Sequence, residues 1–396
     1  MKKALLLCAS HNDLGLVRAL RKLGYYIICT GNIPGLVGEK FVNEYIQADY
    51  SDKERILNIA KENRIDVICQ NCNDYGVYTA AYVAEKLGLP GYDSYDTTLL
   101  LHNKDRFKRF AEAYGIETIK SHMFESDEEA LNWLRTSQYP VIIKPVDASA
   151  GNGISKIEGY NEAKEAVEKA FLKSREGRII IEKFITGSQH GFCTFLLNKK
   201  VIAYCTNNEY SIVNPFRVEI DTFPAANQDI VKERVIGQIE KMAEILNLKD
   251  GIFHLQYIMD NDVPRIIEVM RRVPGNMYTV PASLLTELDW DYWETRARCG
   301  LSCEKMPKHV EQEGFFAYKA ILSEHNGRIK EIKIPPNIEK YVVFDFMLKS
   351  VDDIIENYKS EPIGFLFMMF ESYEKMQKVL ISDYANDIVE VENLYE

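Results

Sequence analysis

The 396 residues carry 48 lysines and arginines against 59 aspartates and glutamates, a formal net charge of −11, with 46% hydrophobic and 27% charged residues. That acidic balance argues against a general nucleic-acid partner, whose phosphate backbone wants a basic face. No apolar run approaches the ~20 residues that span a bilayer. The length allows about two to four structural units of an ordinary globular protein. Met1–Cys8 is too short an apolar lead for a signal peptide, so a cytoplasmic location and no membrane partner are the default expectations. Of the eight scattered cysteines only Cys69 and Cys72 have a ligand-like spacing. With no second pair and no histidine nearby, they read as structural thiols.

Residues 1–95 alternate short apolar runs with amphipathic segments, the pattern of a parallel α/β unit. Strands are expected at Lys3–Ala9, Tyr25–Thr30 and Val67–Gln70, and helices at Leu14–Leu23 and Lys53–Asn63. The first loop, Ser10-His11-Asn12-Asp13-Leu14-Gly15, lacks the dinucleotide-binding glycine pattern. Asn71–Gly76 follows the third strand at a carboxyl edge, where it lines a cleft or caps a helix through Asn73 or Asp74. After Leu87-Gly88-Leu89-Pro90-Gly91 a single helix is expected over Thr97–Tyr114, carrying Lys104 and Lys108. A small lobe spans about 117–186 and a larger one about 187–302, together a 96–302 region. The larger lobe holds a hairpin at Gly191–Thr206, a helix at Asp229–Leu246 and paired strands at Gly251–Met259 and Val263–Met270. Residues 303–396 read as a small α+β region with no chemical constellation.

The chemistry concentrates in a few stretches. Val141-Ile142-Ile143 is a β-branched run that ends on Lys144 and the strand-breaking Pro145. The loop beyond it holds Ser149, Gly151 and Gly153, whose small size lets backbone N–H groups approach an anion. A hairpin with a solvated lysine also fits that stretch alone. A triphosphate needs cations and N–H donors, adenine an apolar slot, and magnesium hard oxygens. Lys104 and Lys144 are the candidate cations, and Glu182-Lys183-Phe184-Ile185 ends a strand at a hinge. Gln256 and Glu268 stand on neighbouring strands, where a hairpin would aim both at one ion. Arg272, four residues on, has the fork that holds a carboxylate or phosphoryl group, although a surface salt bridge is the usual fate of such a residue. Arg217 and Glu219 form either a clasp for an amino acid or a surface ion pair.

In this order the stretches Leu87–Gly91 with Asn103-Lys104, Tyr139–Pro145 with Ser149–Ile154, Glu182–Gly187, His254–Tyr257 and Ile267–Arg272 resemble the ATP-grasp superfamily of carboxylate–amine ligases. Gln256 in place of a glutamate looks like the carbamoyl-phosphate-synthetase branch. The resemblance covers about residues 1–300 and implies an ATP-grasp fold: α/β and α+β, multidomain, with an N-terminal parallel α/β domain and a C-terminal extension. It implies that Lys104, Lys144 and the 149–153 loop bind phosphates, and that Glu182 with the backbone of Lys183 and Ile185 reads adenine. Gln256 and Glu268 would hold magnesium, with manganese able to substitute. Two positions depart from the family pattern. Gln189 stands where a ribose-binding acid is common, and Met270 where an asparagine completes the metal site; a thioether is a poor magnesium ligand. The implied reaction turns a small-molecule carboxylate into an acyl phosphate for attack by an amine, with Arg272 and Lys144 as catalytic residues. Bicarbonate or carbamate phosphorylation, or nucleotide binding with impaired catalysis, are the alternatives. A homodimer is the base-rate expectation.

Overall fold

The structure, a computed structural model, describes residues 1–148, 151–308, 314–384 and 387–393. The first sheet is parallel and ordered β3-β2-β1-β4, from β1 (Lys3–Leu7), β2 (Tyr26–Gly31), β3 (Glu44–Gln47) and β4 (Val67–Cys69). Its helices are α1 (Leu14–Lys22), α2 (Lys53–Asn63) and α3 (Asp74–Leu87). β3, Glu-Tyr-Ile-Gln, was not expected: as an edge strand it is only half covered and lacks an apolar run.

Where one helix was expected over Thr97–Tyr114, there are two, α4 (Tyr95–His102) and α5 (Lys104–Tyr114). Asn103 breaks them with an extended ψ of 118°, and its fully buried Oδ1 accepts from the Tyr78 hydroxyl at 2.9 Å. The freed N–H of Lys104 donates to the Val146 carbonyl at 3.0 Å. Tertiary partners thus override a local pattern that favours continuous helix.

The small sheet is ordered β5-β8-β6-β7, from β5 (Ser121–Phe124), β6 (Val141–Pro145), β7 (Ser155–Ile157) and β8 (Ile179–Lys183). Helices α6 (Asp127–Leu134) and α7 (Ala163–Lys173) bury their alanines and Leu134 against Val141, Ile143, Ile179 and Ile181 of this sheet. The chain continues through β9 (Gln189–Leu197), β10 (Lys200–Tyr210), β11 (Ile220–Phe223), α8 (Gln228–Ile245), β12 (Gly251–Asp260), β13 (Val263–Met270), α9 (Thr279–Thr286) and α10 (Trp290–Arg298). It then adds β14 (Phe315–Ile321), β15 (Gly327–Ile332), β16 (Val342–Met347), β17 (Ile354–Ile355), β18 (Gly364–Phe370) and β19 (Val389–Glu392).

The central sheet has eight strands in the order β13-β12-β9-β10-β11-β14-β18-β16 and runs across residue 302 without interruption. α5 and α8 cover one face of it, with Phe107, Phe110, Val235 and Ile239 packed on Phe192, Phe253 and Val269. The other face joins Leu6, Leu20 and Trp290 in a core shared with the first sheet.

Candidate active site

The ends of β6, β8 and β13 and the start of α5 bring three lysines and two carboxylates together. Lys144, at the end of β6, donates to Glu182 at 2.8 Å, and Lys108 reaches the other oxygen of Glu182 at 3.0 Å. Lys104, one turn before Lys108 on α5, lies 3.3 Å from Glu268 and donates to the Ala148 carbonyl at 2.8 Å. Glu182 is fully buried. Burial alone would raise its carboxyl, but Lys108 and Lys144 outweigh that and bring it down to about 2. Burial pulls the Lys108 ammonium below its ordinary range despite Glu182 beside it. Lys104, Lys144, Glu182 and Glu268 therefore lie in one ion-pair cluster. Lys108, which no motif singled out, completes it; the available signal was its helical i+4 spacing from Lys104.

Lys183 ends β8 exposed, half-buried Ile185 lies on the connection into β9 beside Phe184, whose N–H donates to the Pro140 carbonyl at 3.1 Å, and half-buried Gln189 opens β9. Ser149 lies outside the described residues. Gly151 and Gly153 both adopt φ of +76°, and a side chain at Gly151 would strike the Phe216 carbonyl, so the loop closes down on the 214–217 segment.

β12 and β13 pair in a register that sets Gln256 directly opposite Glu268, with a bulge immediately beyond at Tyr257 and Ile266. The bulge re-aims the side chains beside it. On the same stretch of sheet Glu209 of β10 accepts from Gln256 Nε2 at 2.8 Å on each oxygen and from Gln189 Nε2 at 2.6 Å. Burial pushes the Glu209 carboxyl up to about 7, against the pull of those amides. Asp221, directly across from Glu209 on β11, is raised by its burial and by Glu209, and accepts from Asn207 at 3.0 Å. Glu209 and Asp221 escape sequence reading because their partners come from other strands. Met270 is buried opposite His254.

Arg272 is buried, not on the surface. Its Nε donates to Asp74 at 2.8 Å and its Nη1 to the Val273 carbonyl at 3.1 Å. His102 accepts the Arg271 N–H on Nε2, so its Nδ1–H faces Asp74 at 3.2 Å. Burial raises the Asp74 carboxyl, but Arg272 and His102 overcome it and hold it well below the usual range. In the loop before it, Asn73 caps α3 on the Tyr75 N–H at 3.0 Å, while Asp74 orients the arginine. The Arg217–Glu219 clasp is not formed: Glu219 is buried on Lys319 at 2.9 Å and on the Tyr384 hydroxyl at 2.6 Å, and Arg217 donates to the Ser360 carbonyl.

All eight cysteines are free, and no group of three or more His, Cys, Asp or Glu among the described residues can hold a metal. Gln256 and Glu268 do fit magnesium chemically: both carry the hard oxygens that the ion prefers, on facing strands.

A small antiparallel sheet set beside a larger one, with buried lysines of β6 and α5 paired to carboxylates of both, is the ATP-grasp arrangement, and the resemblance to that superfamily is borne out. The family model described as phosphoribosylglycinamide synthetase, ATP-grasp (A) domain, matches residues 102–215. The chain is similar to the phosphoribosylamine–glycine ligase of Clostridium acetobutylicum, 20% identical over 69% of this chain and 73% of that one. It is 24% identical to the carbamoyl phosphate synthase large chain of Clostridium beijerinckii over 65% of its own length, but spans only 24% of that relative. Among solved structures, the L-amino acid ligase from Bacillus licheniformis aligns over 99% of this chain and 98% of its own with a TM-score of 0.82 at 18% identity.

Proposed function

We propose that this protein is an ATP-dependent ligase that phosphorylates a small-molecule carboxylate and lets an amine displace the phosphate, forming an amide or peptide-like bond. The observation that carries the reading is the convergence of Lys104, Lys108 and Lys144 on Glu182 and Glu268. A carboxylate resists attack by an amine until one oxygen becomes a leaving group, and a phosphoryl transfer supplies that. Lys104 and Lys144 hold the phosphates and disperse their charge, and N–H groups of the Gly151–Gly153 loop close over them. Lys183 and Ile185 offer backbone groups to adenine with Glu182 behind them, and Gln189 meets the ribose. Gln256 and Glu268 would hold magnesium, or manganese, which would supply positive charge to offset that of the phosphates. Arg272, kept in one orientation by Asp74, grips the acid or its acyl phosphate. The amine needs no nucleophilic side chain. The described residues contain no helix long and apolar enough to cross a membrane, and we place the enzyme in the cytoplasm, working as a homodimer on small molecules.

The test is ATP turnover against a panel of carboxylates and amines with magnesium, using acid labelled with heavy oxygen. Label appearing in the released phosphate, together with ADP and an amide product, is the expected result. ADP without label transfer would refute the acyl phosphate. One observation favours a second reading: Met270 offers sulfur where an oxygen would complete the metal site, so nucleotide could bind without turnover. Calorimetric ATP binding with no product from any pair would select it.

A further inference from the structure

A glutamine serves a cation only through Oε1, and its amide has a second, N–H2 end of nearly the same shape. Something must therefore decide which end of Gln256 faces Glu268. Glu209 is 8% exposed, and its two oxygens each accept from Gln256 Nε2 at 2.8 Å while one also accepts from Gln189 Nε2 at 2.6 Å. An ionised carboxyl accepts and does not donate, so in that form it requires both amides to turn their N–H2 ends toward it and their carbonyl ends away. Gln189 lies directly across β9 and β10 from Glu209, and Gln256 directly across β12 and β13 from Glu268.

We infer that Glu209 is a positioning residue that fixes the amide orientation of Gln256 and Gln189, so that Gln256 presents its carbonyl oxygen beside Glu268 to a nucleotide-bound divalent cation and Gln189 presents its own to a ribose hydroxyl. The inference rests on the nucleotide site proposed above and adds the device that makes it selective. The device has a reason here: with Met270 in place of an oxygen donor, the metal site relies on Gln256 and Glu268, and a flipped Gln256 would aim N–H2 at the cation. One side chain thereby couples the metal end of the nucleotide to its ribose end.

The probe is Mn2+ with the non-hydrolysable β,γ-imido analogue of ATP, titrated by electron paramagnetic resonance at about pH 8. Glu209→Gln replaces an acceptor by a group that can bond either end of Gln256, and Mn2+ affinity is expected to fall about 10–100-fold, the usual loss when an outer partner of a metal ligand is removed. Glu209→Gln combined with Gln256→Glu moves the carboxylate to the ligand position, where either oxygen serves the metal and the amide introduced at position 209 donates to it. This double variant is expected to recover Mn2+ affinity to within about threefold of the parent, a rescue that a merely structural role would not give. Undiminished Mn2+ binding by Glu209→Gln, or a double variant no better than the single one, overturns the inference while leaving the nucleotide site standing. A parent protein that holds no Mn2+–nucleotide overturns the site and the inference together.

Discussion

Glu182 sits between two ammonium groups with no exposed surface, and its ionisation ties stability to pH. Its carboxyl titrates lower in the fold than in the unfolded chain, so the stabilisation is fully present above about pH 4.5 and is lost as pH falls through about 2. Burial of Lys108 works against the same pair, so the net gain is smaller than the carboxylate alone suggests, on the order of 1–3 kcal/mol. Glu182→Gln should therefore flatten the acid limb of the unfolding curve between those values; an unaltered limb in acid titration followed by circular dichroism would remove the residue from the account. At the opposite wall, Asp74→Asn leaves Arg272 buried without its counter-charge. We expect kcat/KM for the acid to fall about a hundredfold while the KM for ATP moves little, since a misaimed guanidinium affects the acyl group and not the nucleotide. Lys144→Ala should weaken nucleotide binding about tenfold or more, read by calorimetry, because a charge-assisted contact is lost. Lys144 and Glu268 were legible as candidates because each lies near the end of a recognisable strand. Glu209 and Asp74 were not legible as partners, because Gln256 and Arg272 lie far along the chain and nothing local marks the pairing.

Whole elements were read where periodicity and flanking turns agreed. The Gly251–Asp260 and Val263–Met270 strands came within a residue of expectation because Asp260-Asn261-Asp262 demands a turn, met with Asn261 at a φ of 54°. The helix break at Asn103 was missed, since neither Tyr78 nor Val146 is near in sequence. That break places Lys104 in the first turn of α5, aimed at Glu268 and Ala148, instead of in the middle of a longer helix. Asn103→Leu should favour the continuous helix and strand the Tyr78 hydroxyl, destabilising the fold by about 1–3 kcal/mol. Nucleotide affinity should fall with it in calorimetry; a variant that melts lower yet binds ATP as the parent does would separate the break from the site.

Across the molecule, residues 303–396 carry no motif, yet β14 pairs with β11 so that Tyr318 stands directly opposite Asp221, itself opposite Glu209. The same segment fills one core with the first sheet: Phe316, Tyr318, Phe365 and Phe367 pack with Leu6, Leu20 and Trp290. It also anchors the 214–217 segment beneath the glycine loop, where Asn214 donates to the Lys359 carbonyl at 3.3 Å and Arg217 to that of Ser360. A chain ended after Ser302 would leave β11 an open edge and would strip Phe316 from beside Phe223. We expect that fragment to aggregate or to lose cooperative unfolding in denaturant, although it retains every lysine and carboxylate of the proposed nucleotide site. Both halves of the outcome matter, because a core shared along the chain makes folding of the proposed site depend on strands that supply none of its residues. Should the fragment stay monomeric, unfold in one sharp transition and bind ATP with the parent's affinity, the strands beyond 302 would be an appendage to the site instead of its support.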